Sequence, residues 1–595
     1  MRLLSWLRPL TPRLDSVCAR RLPRRPAFRP RLEVLEDRTT PSVGGLLDPT
    51  FGVGGTVLNN TGSRGQALTD VTVLPDGKLL TAGYVGWTPS FSDGDFAAAR
   101  YNADGTLDTS FGSGGLATVD VKGYMDTAMA VAVQPGTGGK ILLAGTALDK
   151  SGNMFGVVRL NPNGTLDTTF GATKKGSGGK VTVSPVPRGA NEAYDMAVLP
   201  DGRFILAGLT RNLGYGAFGS IALARFNANG TLDTTFGNNG LVVSSVAVST
   251  ANAPDQHAVR VAVDASGRIV VAGTTAGIRN APRSDFLLAR FNANGSLDTT
   301  FGAAHTGVVT TDILGGSYDY ASSLALQGDG KIVVGGQTDS GNQNGAPLAL
   351  VRYNPSGTLD TTFDGDGIVT AESVPGYISG AAADALVVQP DGKIVTAGQG
   401  GYLATRSDGS TYNSGNLLLA MRFNADGSVD TSYGPSGTGA VMTSLGFNSR
   451  VSAVALQPDG DLVVAGAMNT SNDPSPERQY FALVRFTASA AAPSPVQIGS
   501  FAASSTTVTA GSPVTLTAGA VTTTNAGATV TKMAFYDVDS FGTEQLLGYG
   551  VRNADGTWTL TWTPNLSSGR YTLLALAVDS SGAISDPLAI NLDVL

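Results

Sequence analysis

Cysteine occurs once (Cys18) and histidine twice (His257, His305) in 595 residues. That scarcity excludes a disulfide framework and a Cys/His zinc centre, and leaves little scope for His-dependent nucleophilic catalysis. Charged residues make up only 15% of the chain, against roughly a quarter in an average soluble protein. No run of 18 apolar residues occurs, so no helical membrane span is expected. The few charges are unevenly placed. Residues 1–40 hold ten Arg, no Lys and four acids, a net of +6, while the rest carries 30 basic against 43 acidic groups, a net of −13. An acidic body repels phosphate backbones, so nucleic acid is not an expected partner.

What is abundant is glycine (78), supported by 29 prolines and a 42% hydrophobic fraction: a turn-rich chain with enough apolar material for cores. At this length one compact core is not enough, and several units or a repeat array are expected.

A repeat array is what the chain spells. LDPTFG at Leu47–Gly52 returns as LDTSFG at Leu107–Gly112 and LDTTFG at Leu166–Gly171, Leu232–Gly237 and Leu297–Gly302. It returns again as LDTTFD at Leu359–Asp364 and VDTSYG at Val429–Gly434, with the seven aspartates 59 to 70 residues apart. A second signature appears once per period, as in LPDGKLLTAG (Leu74–Gly83), LPDGRFILAG (Leu199–Gly208) and QPDGKIVTAG (Gln389–Gly398). A third is an apolar strand closing on Arg100, Arg159, Arg225, Arg290, Arg352, Arg422 and Arg485.

Each period reads as four short strands, illustrated by Gly307–Thr311, Arg260–Asp264, Arg268–Ala272 and Phe286–Phe291. Pro-Asp-Gly between the second and third supplies hairpin turn chemistry, and the mostly apolar third strands imply burial on both faces. Four-stranded meanders repeated radially make a β-propeller. The expectation is therefore an all-β fold: a seven-bladed β-propeller of four-stranded blades over residues 43–487. If the LD-FG segments pack in the preceding blade, the first must cross over and complete the last one. The three signatures resemble the delta-60 repeat family of bacterial propellers, whose function is largely unassigned. The resemblance covers about residues 47–487.

Residues 1–42 are Arg- and Pro-rich, and Leu32–Ser42 (LEVLEDRTTPS) resembles an N-terminal element of large secreted or surface proteins of one bacterial phylum. The resemblance implies export, giving a secreted or cell-surface location. Residues 488–495 (ASAAAPSP) read as a linker. Beyond them, Thr/Val alternation in segments such as Val514–Val521, Thr529–Asp539 and Arg570–Ser580 implies an immunoglobulin-like β-sandwich over residues 496–595.

Two patterns carry candidate chemistry. Asn-x-(Asp/Asn/Ser)-Gly-(Thr/Ser)-(Leu/Val)-Asp places side-chain oxygens at Asn102, Asp104 and Asp108, and again at Asn424, Asp426 and Asp430, a spacing open to calcium. Turn chemistry is the stronger reading, since Asn or Asp before Gly stabilises tight turns, and a repeated Arg near a repeated Asp suits a structural bidentate pair. The second pattern is the irregular connection after the third strand, which carries Tyr84, Trp87 and Phe91 in one repeat, Arg211, Tyr215 and Phe218 in another, and Tyr402, Arg406 and Tyr412 in a third. On one face of a ring, these side chains suit a glycan or a surface or matrix protein. No G-x-S-x-G, P-loop or H-E-x-x-H motif is present. The sequence thus points to a monomeric, exported, non-catalytic adhesion or binding protein without a required cofactor. The alternative is an extracellular polysaccharide lyase or hydrolase with a carboxylate/Tyr site in the channel.

Overall fold

The computed structural model describes residues 45–594, apart from residues 64, 88–92, 172–177, 212–217, 250–258, 276–283, 340–346, 372–381, 401–402, 406–410, 414–416, 435–437, 444–446, 470–478, 489–495, 525–526, 539–543, 565–568, 581–584 and 586–587. Among the described residues, every regular element is a β-strand.

Seven four-stranded antiparallel sheets lie between Thr56 and Phe486. The fourth sheet shows the plan: Val259–Val263, a turn, Ile269–Thr274, Phe286–Phe291 and then Val308–Thr311. Gly267 supplies the left-handed φ of 77° that closes the first turn, where its N–H reaches the Asp264 carbonyl at 2.9 Å. The second and third strands are buried along their whole length, as an unbroken apolar run requires.

The seven sheets follow one another around a cycle. The first strand of each (Ala67–Val73, Thr127–Val133, Ala190–Val198, Val259–Val263, Tyr318–Leu326, Ala385–Val388 and Phe447–Leu456) packs against the first strand of the next, and the last returns to Ala67–Val73. Seven apolar clusters fill the wedges between neighbouring sheets; one joins Ile205, Leu223 and Phe236 of the third sheet to Val261, Val271 and Ala289 of the fourth. These first strands are therefore the innermost, and they line an axial channel.

The cycle is closed by the two ends of the array. Thr56–Asn59, just after the first LD-FG motif, pairs with Gln479–Phe486 and completes the seventh sheet. Sequence leaves open whether sheets and repeats coincide. They do not: each LD-FG segment and its following strand complete the preceding sheet. Gly45 N–H reaches Thr487 O at 2.7 Å, so entry to and exit from the ring are adjacent.

Five innermost strands carry a register shift of one residue, for example between Ala193 and Asp195. The glycine of the second signature faces this bulge. A Cβ on Gly208 would lie 1.9 Å from the Glu192 carbonyl oxygen, so only glycine fits there. The bulge also re-aims the following side chain, which matters for the channel.

Beyond the ring, two further sheets share one core. One contains Val496–Ala503, Val514–Thr523, Trp558–Trp562 and Val551–Arg552; the other contains Thr507–Val508, Leu588–Val594, Gly569–Asp579, Val530–Val538 and Glu544–Tyr549. Val514, Leu516, Phe535, Trp558, Leu573 and Leu592 meet between them.

Candidate functional site

The repeated Arg, Asp and aromatic ring, Phe in six repeats and Tyr433 in the other, form one device used seven times. Arg225 Nε donates to Asp233 Oδ2 at 2.8 Å, and its guanidinium lies 4.5 Å from the Phe236 ring centroid. Its Nη1 donates to the carbonyl of Ala293 in the next sheet. The same links join Arg100 to Pro162, Arg159 to Ala228, Arg290 to Pro355, Arg352 to Ala425, Arg422 to Ala488 and Arg485 to Ala103. The expected bidentate pair is corrected in its geometry. In most repeats Nε alone grips the carboxylate, because Nη2, the other half of a side-on fork, reaches the hydroxyl two residues after the aspartate, as Arg225 Nη2 reaches Thr235 Oγ1 at 3.2 Å. These arginines are fully engaged and leave no ring of free cations for an anionic ligand.

The calcium candidates are likewise engaged. Asp104 Oδ1 accepts from the Thr106 N–H (2.9 Å) and hydroxyl (2.7 Å), and Asn102 Nδ2 donates to Thr106 Oγ1 at 3.0 Å. Asp108 accepts from Lys78 Nζ at 2.6 Å and from Arg100 Nε at 2.8 Å. The Lys78 ammonium chiefly holds the Asp108 carboxyl below the usual carboxylate range. Asn424, Asp426 and Asp430 repeat the arrangement, with Ser428, Lys393 and Arg422 as partners. Side chains two and four residues apart thus serve a turn and an ion pair rather than one metal centre. The only group of three acids close enough to share a cation, among the described residues, is Asp285, Asp312 and Asp319. There Asp319 is already held by Ser317, Thr338 and the Ile313 N–H.

The channel holds charges that the repeat signatures do not reveal. Asp70 Oδ2 accepts the Val131 N–H of the next sheet at 2.8 Å, and Asp195 Oδ2 accepts the Val261 N–H at 2.8 Å. Arg260 Nε donates to Ser322 O of the fifth sheet at 2.8 Å, and its Nη2 lies 3.5 Å from Ser452 O of the seventh, across the axis. The charges of Asp195, Asp70 and Asp384 all favour the protonated Arg260. Burial pushes Asp70 up to about 7 against its two N–H donors and Arg260, and pushes Asp384 up to about 7 against the Gln399 N–H, Arg260 and Arg450. Asp70, Asp195 and Arg260 keep some solvent access, as groups bordering a channel do, yet protein surrounds them and disfavours their charged forms. Nearer the channel end opposite the Pro-Asp-Gly turns, Tyr194 Oη donates to Glu192 Oε2 at 2.7 Å; burial and that carboxylate raise the phenol above its usual range. The signal in the sequence is a lone charge in an apolar strand, as in ALTDVTV and VRVAV.

The topology sorts the connections. The turns after the first strands open on one face of the ring, and the connections between second and third strands open on the other. The five described loop candidates, Tyr84, Trp87, Arg211, Phe218 and Tyr412, lie on or beside connections of the second face. Arg211 ends the strand Phe204–Arg211, where its Nη2 donates to Glu192 Oε1 at 2.7 Å. Tyr84 lies in Leu79–Val85, with Trp87 just beyond it, its N–H on Gly65 O at 3.0 Å. Phe218 begins the strand Phe218–Phe226, and Tyr412 lies in Thr411–Asn413, which pairs with Leu403–Thr405. Phe91, Tyr215, Tyr402 and Arg406 lie outside the described residues.

On the turn face, the channel opens into a cavity of ≈ 1170 Å³ that continues between the fifth and sixth sheets. Its wall combines Val73, Val387, Val454 and Leu456 with Thr72, Gln327, Gln389, Asp329 and Asp391.

Six stretches of the chain, residues 74–111, 139–170, 199–236, 265–301, 327–363 and 389–433, match a family described as a β-propeller domain of unknown function, DUF5122. The fold is that of a β-propeller repeat protein. None of the curated proteins matches the chain. Among solved structures, the chain is similar to the polysaccharide lyase Uly1 (12% identity, TM-score 0.34, covering 72% of this chain and 91% of that one). It is also similar to an α-L-arabinofuranosidase from Fusarium graminearum (10% identity, TM-score 0.33, covering 75% and 98%). A third is an α-L-arabinanase from Penicillium chrysogenum (13% identity, TM-score 0.32, covering 74% and 98%). Likeness at this level carries no argument about activity.

Proposed function

We propose that this chain is an exported, non-catalytic binding protein of the delta-60 type: a seven-bladed propeller after an Arg-rich export segment (residues 1–42), followed by a linker (488–495) and an immunoglobulin-like sandwich (496–595). It contacts a glycan or a surface protein through the connections on one face, and the sandwich holds the ring away from the cell. One observation carries the reading. The residues that recur in every repeat are engaged between sheets, whereas the irregular aromatic connections all leave from the same face, where variation leaves the scaffold intact. A screen of the full chain on a glycan array and on extracted surface proteins tests it. Replacing residues 401–416 by a short Gly/Ser turn is expected to abolish capture without shifting the melting temperature; retained capture would refute the loop assignment.

A second reading rests on Asp70 and Asp384. Raised to about 7, each carboxyl is protonated in a substantial fraction of molecules at neutral pH, as a general acid for glycan cleavage requires. Turnover of polysaccharide mixtures that disappears in Asp384→Asn would establish this enzymatic alternative.

A further inference from the structure

The position just before the Pro-Asp-Gly turn is glutamine in four repeats: Gln134, Gln327, Gln389 and Gln457. Two of these amides bridge sheets. Gln134 Nε2 donates to Gly202 O at 2.7 Å and to Ala228 O at 2.9 Å, while its Oε1 accepts from Arg159 Nη1 at 3.0 Å. Gln457 repeats the pattern at ring closure, with Gly77 O and Arg485 Nη1 at 3.4 Å each.

Gln327 and Gln389 depart from it. Their Oε1 atoms are buried and meet no donor, and among the described residues neither amide bridges to the next sheet. These two residues belong to neighbouring sheets, and both line the cavity at the turn-side mouth of the channel. The inter-sheet bridge is thus missing where the ring opens into a cavity. A buried acceptor without a donor is a standing cost that an incoming O–H or N–H relieves.

The remaining wall narrows the ligand. The cations there are already paired, Lys331 with Asp360 at 3.0 Å and Arg352 with Asp360 at 2.7 Å, whereas Asp329, Asp391 and Asp426 are exposed. The excess of carboxylates disfavours anionic ligands. Val73, Val387, Val454 and Leu456 supply an apolar wall for C–H faces, and the glutamine amides and Thr72 supply hydrogen-bonding partners for hydroxyls.

We infer that this mouth is a binding site for a short neutral oligosaccharide, on the face opposite the variable connections and independent of them. The two glutamines turn their amides to the sugar hydroxyls, and the valines pack against its rings.

Titration of the full chain with cellotetraose, xylotetraose and mannotetraose, followed by calorimetry and saturation-transfer NMR, tests the site. At least one is expected to bind, with Kd raised tenfold or more in Gln327→Ala and Gln389→Ala. Because these side chains bridge nothing, both variants should melt with the wild type, whereas Gln134→Ala, which loses a bridge, should melt earlier. Replacing residues 401–416 should leave tetraose binding unchanged, which separates this site from the loop site. Absence of binding by all three sugars, or binding that survives both glutamine substitutions, would overturn the inference.

Discussion

Arg485 and Asp48 stand 437 residues apart and meet in a buried ion pair, Nε to Oδ2 at 2.7 Å. This contact and the Thr56–Asn59 strand turn an open array into a ring. Breaking a buried pair from one side leaves an uncompensated charge, so Arg485→Ala should cost about 3–5 kcal/mol in urea unfolding. The half-exposed Arg268–Asp264 pair is the control, and Arg268→Ala should cost less than ~1 kcal/mol. Removing residues 45–60 should lower the unfolding midpoint further than either change.

The channel and the motif aspartates give opposite pH dependences. Asp70 and Asp384, raised to about 7 in the folded chain, retain protons that the unfolded chain releases near pH 4. Stability therefore falls as pH rises through roughly 4 to 7. Asp195, Arg260 and Arg450 face the same space and modulate the size of the effect. Asp108 is held low, so its contribution is present above the unfolded carboxylate value near 4 and is lost below it. A stability maximum at about pH 4 follows. Denaturation between pH 3.5 and 8.5 checks it: Asp70→Asn and Asp384→Asn should flatten the alkaline limb, and a wild type that gains stability from pH 5 to 8 would contradict the assignment.

Gly208→Ala should be among the most damaging single substitutions in the ring, because its Cβ would overlap a backbone oxygen that the bulge fixes in place. A loss of at least ~3 kcal/mol is expected. Gly328→Ala, with nothing within 4 Å of the added carbon, should be close to neutral. Equal effects at the two positions would argue against the steric account.

All apolar groups of the last two sheets' core lie between Val496 and Val594. Residues 496–595 should therefore fold alone, with a cooperative melt and a near-ultraviolet circular dichroism signal from Trp558 and Trp562. A featureless spectrum would show that this segment depends on the rest of the chain.

The sheets were legible because their constraints repeat. Phe286–Phe291 emerges with its expected bounds, and the strand expected at Arg260–Asp264 is Val259–Val263, one residue earlier. The Arg–Asp pair was legible for the same reason. Its third partner was not: a backbone carbonyl of the next repeat has no sequence signature, so the role of Arg225 Nη1 is invisible until Ala293 is placed beside it. The channel charges escape for the converse reason. The position of Asp70 holds Ala130, Asp195, Arg260, Ser323, Ala385 and Ala453 in the other repeats, and Asp384 lies just before its strand, so a reading built on recurrence averages these charges away.

Gly45 and Thr487 are hydrogen-bonded neighbours, so the ring has no privileged starting point. Joining those two residues and opening the chain at an exposed turn such as Pro75–Gly77 would yield a circular permutant that keeps the strand pairing of all seven sheets and moves the covalent seam. The site of the seam is thus set by how the chain is encoded rather than by how it packs.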